Sequence, residues 1–190
     1  GTIAHDGRVV LAHRDAETTA QGFCHAEDRS AYLAMLQRFL NNAEDIGGFM
    51  GIELRSRAIV RPALRMLRRE RLAGTETWLR DLVTSARSYC RSNFTGDDVD
   101  LLWTPWLLHA GLSPDHASGG LMLPILAATM HGFGLPVVAG GAANFVGAFE
   151  TLLNELRVDI RTGQPVEQLI LTSGKVTGVV CGGESIHARR

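Results

Sequence analysis

Several things this chain lacks narrow its reading from the outset. Lysine is almost missing: Lys175 stands alone beside 18 arginines, a preference that reads as codon bias rather than as function. Cysteine is scarce. Cys24, Cys90 and Cys181 lie far apart, and no CxxC occurs. An odd number of distant thiols argues against a disulfide framework and for a reducing, cytoplasmic setting. No run of about 18 apolar residues is present, so no transmembrane helix is expected, and no signal peptide opens the chain. Net charge is only -1, which implies no general attraction to nucleic acid or to anionic lipid.

The familiar catalytic signatures are missing too. No GxSxG marks a nucleophile elbow, so serine hydrolysis would need a triad assembled by the fold alone. No Walker loop and no GxGxxG after a strand occur, so this chain does not by itself build the usual pyrophosphate cradle. Seven histidines invite a metal reading. However, His5, His13, Cys24 and His25 lack the tight pair spacing of a zinc site, and no metal is expected.

What remains is an ordinary globular composition, 45% apolar and 21% charged over 190 residues. A chain of that length folding alone buries roughly 70% of its unfolded surface. It opens on the strand-like Thr2-Ile3-Ala4, without a starting Met, and stops at Ile186-His187-Ala188-Arg189-Arg190. The expectation is a piece of a longer protein.

In chain order, Thr2 to Leu11 reads as a hairpin around the Asp6-Gly7 turn signal. Thr18 or Thr19 offers a helix cap. A stronger cap at Asp28-Arg29-Ser30 predicts a helix with Leu33, Leu36, Phe39 and Leu40 on one face, ending near Asn41-Asn42. Gly47-Gly48 and Gly51 are expected to break the chain. After Pro62, residues Leu64, Leu67 and Leu72 share a helical face. From Arg55 to Arg91, ten arginines face three acids, Glu70, Glu76 and Asp81. They recur around a helix without interleaved aromatics, which points away from nucleic acid. They read as a solvated face or as partners for acids elsewhere. A peripheral membrane surface or an acidic substrate is the alternative.

Gly96-Asp97-Asp98 opens a short helix through Trp103, and Thr104-Pro105-Trp106 bends the chain. Trp103 and Trp106 read first as core and second as the lining of an apolar pocket. The segment Leu121 to Phe133 is apolar nearly all round, so it is either buried or faces an apolar cavity. Gly140-Gly141 then precedes a helix with Phe145, Phe149, Leu152 and Leu156 on one face. Val158 and Ile160 alternate with Asp159 and Arg161 and predict a short strand. Val166 to Leu171, Val176 to Cys181 and the segment at Ile186 predict a three-stranded antiparallel meander.

Composition and periodicity stop there, at an α+β chain. The order of its later motifs goes further. Pro136-Val137-Val138-Ala139-Gly140-Gly141 before a helix, Val158-Asp159-Ile160-Arg161-Thr162-Gly163, Val166-Glu167-Gln168-Leu169-Ile170 and Gly174-Lys175-Val176-Thr177-Gly178-Val179 follow one another. Together they resemble the phytoene dehydrogenase-like, carotenoid desaturase-related branch of FAD-dependent oxidoreductases. Leu11-Ala12-His13-Arg14-Asp15 and His109-Ala110-Gly111-Leu112-Ser113-Pro114 also look like segments of that family. The likeness covers somewhat more than half of the chain and is best in its last third. Two departures stand out. Leu156-Arg157-Val158 replaces the family's glycine pair after the helix, so the helix needs another cap. The family's GxGxxG and its C-terminal flavin segment are absent.

The resemblance implies an α+β substrate domain, a mixed or antiparallel sheet with helices on one side, from a two-domain flavoprotein whose Rossmann half lies outside this chain. Residues 1–135 would form the substrate-domain region, and residues 136–190 the Gly-Gly turn, helix and meander at the FAD boundary. Gly140, Gly141 and the backbone of Val166 would contact FAD. Trp103, Trp106 and Phe133 would line the pocket of a small apolar substrate, isoprenoid- or carotenoid-like or other. Hydride would pass between substrate and flavin, and no acid or base in the chain is assigned a catalytic role. Val166 also reads as a plain strand valine, and Gly140-Gly141 as a plain turn. A non-catalytic lipid- or isoprenoid-binding module is the alternative function.

Overall fold

The computed structural model describes residues 1–53 and 55–188, so Arg189 and Arg190 of the terminal segment lie outside the described residues. The fold is α+β, with seven helices and two small antiparallel sheets among the described residues. The chain divides into two compact units, Gly1–Pro136 and Val137–Arg190.

The first unit opens with a hairpin of β1 (Thr2–Ile3) and β2 (Val9–Val10), as the Asp6-Gly7 pair predicts. Helix α1 (Ala16–Gln21) is capped by Asp15, whose carboxylate accepts from the Thr18 amide at 2.7 Å. Neither threonine is the cap. Thr19 is buried instead, its hydroxyl donating to the carbonyl of His13.

Helix α2 (Ala26–Gly51) departs furthest from expectation. It begins at Ala26 rather than beyond Asp28. It runs through Asn41-Asn42 and Gly47-Gly48. The reason is tertiary. Helix α3 (Val60–Val83) packs along it through a polar seam. Buried Asn42 donates to Glu70 Oε1 at 2.7 Å, and buried Asp45 accepts from Arg65 at 2.8 Å and pairs with Arg69 at 3.2 Å. These bonds hold residues that weak propensity alone would have released. Leu64, Leu67 and Leu72 are all exposed. Met66, Trp78 and Asp81 turn inward in their place. Arg71 sits at φ 57°, ψ -171° and kinks α3 there.

Helices α4 (Ala86–Asn93) and α5 (Asp98–Trp103) follow, then a 3-10 segment Thr104–Ala110 that includes the start of the expected His109 loop. Helix α6 (Gly119–Phe133) is the centre of the unit and touches α2, α3, α4 and the 3-10 segment. Leu123, Ala127 and Ala128 are buried in it, together with Pro124, which lacks the N–H that would bond the carbonyl of Gly120. Gly119 lets the start of α6 lie against the backbone of Ala86. Around α6 pack Phe23, Tyr32, Leu36, Trp78, Val99, Leu102, Trp103 and Leu107.

The second unit holds α7 (Ala143–Glu155) and a meander of β3 (Val166–Thr172), β4 (Lys175–Cys181) and β5 (Glu184–His187) in sheet order β3-β4-β5. The meander is the one the sequence predicts. The strand expected at Val158–Arg161 is not formed. No strand pairs with it among the described residues, and Arg161 folds back on Asp159 at 2.8 Å. Alternation describes a strand only where a partner supplies the ladder.

Candidate functional site

The Gly140-Gly141 turn is built for positive φ. Gly140 stands at 78° and Gly141 at 101°, values that L side chains rarely adopt. Asn144, in the first turn of α7, braces the turn. Its Nδ2 donates to the carbonyl of Ala139 at 2.9 Å, and its backbone N–H donates to the carbonyl of Gly141 at 3.1 Å. A Cβ on Gly140 would come within 2.5 Å of that amide, whereas one on Gly141 would meet open space. The turn thus presents bare backbone on its Gly141 side.

Val166 begins β3, opposite Cys181. Its side chain is exposed rather than buried, and β3 is an edge strand. No hydrogen bond joins the Gly-Gly turn to β3 among the described residues. Helix α7 buries none of its residues, and Phe145, Val146, Phe149, Leu152 and Leu156 lie uncovered by their own unit. The Phe145 and Phe149 rings pack on each other, with 5.0 Å between ring centres. Val166, Leu169, Leu171 and Val176 on the sheet are likewise exposed.

The end of α7 supplies the missing cap in an unusual way. Arg157 takes φ 56°. Its N–H donates to the carbonyl of Asn154, and that of Val158 to the carbonyl of Leu153. This is a Schellman closure with arginine where glycine is usual.

In the first unit, Trp103 is wholly buried and Trp106 half-buried against His109. Phe133 is exposed and lines a cleft of about 400 Å³ with His13, Arg14, Met130, Leu135 and Pro136. Neither tryptophan lines that cleft, so the three residues are not gathered in one pocket. Trp103 instead packs edge-on against the His131 ring. No group of three or more His, Cys, Asp or Glu side chains placed to hold a metal occurs among the described residues. No helix among them is long and apolar enough to cross a membrane.

Sequence reading overlooked the buried carboxylates. Asp28 accepts from the amides of Thr95 and Gly96 at 2.7 and 2.8 Å, and Asp98 holds the Cys24 amide at 2.7 Å and the Arg8 guanidinium. Three arginines of the Arg55–Arg91 stretch find acids inside their own unit: Arg65 and Arg69 at Asp45, and Arg87 at Asp115. No one-dimensional signal pairs residues so far apart in sequence. Compared with family models and with curated proteins, the chain matches none.

Proposed function

We propose that this chain is the substrate-side portion of an FAD-dependent oxidoreductase of the phytoene dehydrogenase-like kind, acting on a small apolar substrate. The observation that carries the reading is the Gly140-Gly141 turn. Two consecutive positive-φ glycines, held by Asn144, lead into α7 with unobstructed space at Gly141. Such a turn admits close approach of a ligand to the main chain.

The residues present fit the flavin role assigned to them. Val166 lies on an edge strand, where half of the backbone groups are unpaired by the sheet. The apolar faces of α7 and of the meander are large for an isolated unit, which suits a unit completed by further polypeptide. That polypeptide would carry the dinucleotide cradle that this chain lacks. Bound FAD would supply the hydride acceptor. This chain's part would be to present main-chain groups at Gly141 and Val166, exclude water with its apolar faces, and orient substrate.

Hydrogen exchange tests this placement in the natural polypeptide that contains residues 1–190. Adding FAD should slow exchange at residues 139–142 and 166. Unchanged exchange at both places would exclude them from the cofactor site. The alternative, a lipid- or isoprenoid-binding module without catalysis, draws on the apolar wall of the Phe133 cleft. It gains if that polypeptide binds apolar ligand but no flavin.

A further inference from the structure

The face where α2, α3 and α4 meet carries two adjoining clefts of contrasting chemistry. One, about 270 Å³, is polar and is lined by Arg38, Thr77, Arg80, Asp81, Ser92 and Asn93. The other, about 280 Å³, is lined by Ala31, Ala34, Met35 and Phe94, together with Arg38 and Asn93. Arg38, Tyr89 and Asn93 belong to both linings, so the two clefts adjoin at these side chains.

Arg38 is fixed at the junction. Its Nη1 donates to Asp81 Oδ2 at 2.8 Å, and its guanidinium carbon stacks 3.9 Å from the centre of the Trp78 ring. These contacts occupy one edge and one face of the group. Its Nη2 is buried and has no acceptor among the described residues. A buried donor of a charged group without an acceptor is costly, and native structures seldom leave one so. Arg80, exposed, adds a second cation that forms no salt bridge among the described residues, while Asp81 is engaged by Arg38. The polar cleft therefore has an excess of one positive charge. Burial holds the Tyr89 phenol neutral by raising its pKa to about 12.

We infer that these clefts form one binding site for an amphipathic anion, its carboxylate or phosphate head at Arg38 and Arg80 and its aliphatic tail along Ala31, Ala34, Met35 and Phe94. A guanidinium held flat by stacking is suited to an oxyanion. The site lies wholly within the first unit and does not depend on the flavin reading.

Calorimetric titration of the 190-residue chain tests it, with octyl phosphate, octanoate, octanol and inorganic phosphate as probes. At least one octyl anion should bind about tenfold or more tighter than both octanol and inorganic phosphate. Preference for octyl phosphate assigns a phosphate head, and preference for octanoate a carboxylate. Arg80→Gln, at an exposed position, should cut octyl-anion affinity about tenfold while the unfolding midpoint stays put. Ala34→Phe should weaken the octyl anions and leave inorganic phosphate unchanged. Octanol binding as tightly as the anions, no gain over inorganic phosphate, no saturable binding of either anion, or unaltered affinity in both folded variants would overturn the site.

Discussion

The hydroxyl of Tyr32 lies 2.6 Å from Nε2 of His131, and the other ring nitrogen, Nδ1, lies 2.9 Å from the carbonyl oxygen of His13. A carbonyl can only accept, so Nδ1 carries the proton and Nε2 accepts from Tyr32. One histidine thereby ties α6 to α2 and to the strand-to-helix link before α1. Both of its nitrogens are committed, which leaves it a structural rather than a chemical part.

The two partners should differ when removed. Tyr32 is 0% exposed, whereas His131 is half-buried and within reach of water. Tyr32→Phe should cost about 1 kcal/mol or less, and His131→Leu roughly 1–3 kcal/mol, because only the second leaves a buried hydroxyl without an acceptor. Urea unfolding of the two variants checks the order. Equal losses would show that the hydroxyl is satisfied in another way.

Gly119→Ala should destabilise the first unit by roughly 1–3 kcal/mol. Its Cβ would run into the Ala86 amide nitrogen and lie 3.0 Å from the Ala86 Cα. Backbone cannot swing aside as a side-chain tip can. Gly132→Ala, in the same helix with nothing within 4 Å of its Cβ, is the control and should be neutral or mildly stabilising.

Arg157→Gly should stabilise the second unit by up to about 1 kcal/mol, since the closure there needs positive φ and arginine resists it. Arg157→Val should do the reverse. Thermal unfolding of both variants measures the effect.

Alkaline pH should unfold the first unit progressively. Burial raises the Cys90 thiol from 9.0 to about 12 and the Tyr89 phenol from 10.0 to about 12, and it raises Tyr32 as well. Each group is held neutral in the fold and ionises more readily once unfolded, so the unfolded state binds fewer protons in that window. The stability they provide is intact below about pH 9 and is lost as pH rises toward 12. Urea midpoints across that range should fall, and Cys90→Ala should flatten the first part of the slope.

Local chemistry was legible in the sequence where it acts alone. Asp6-Gly7 marks its hairpin and the spacing of Val166 to Ile186 marks the meander, because turn residues and alternation are sufficient there. The apolar segment ending at Phe133 is a helix in the core. Reading failed where distant residues decide. Gly47-Gly48 stays helical because Asn42 and Asp45 are gripped from α3. Val158 and Ile160 alternate without a strand to pair with, and Leu64 and Leu67 form a stripe that faces outward. For the candidate site, the glycine pair was visible. Its brace by Asn144 and the Arg38 junction arise only from the folded arrangement of these side chains.

Flavin content tests the proposed function most directly. The natural polypeptide containing residues 1–190 should purify, or reconstitute, with one FAD per chain, while residues 1–190 alone should return colourless from dialysis against FAD. A natural polypeptide that takes up no flavin, or a 190-residue chain that retains it stoichiometrically, would contradict the account.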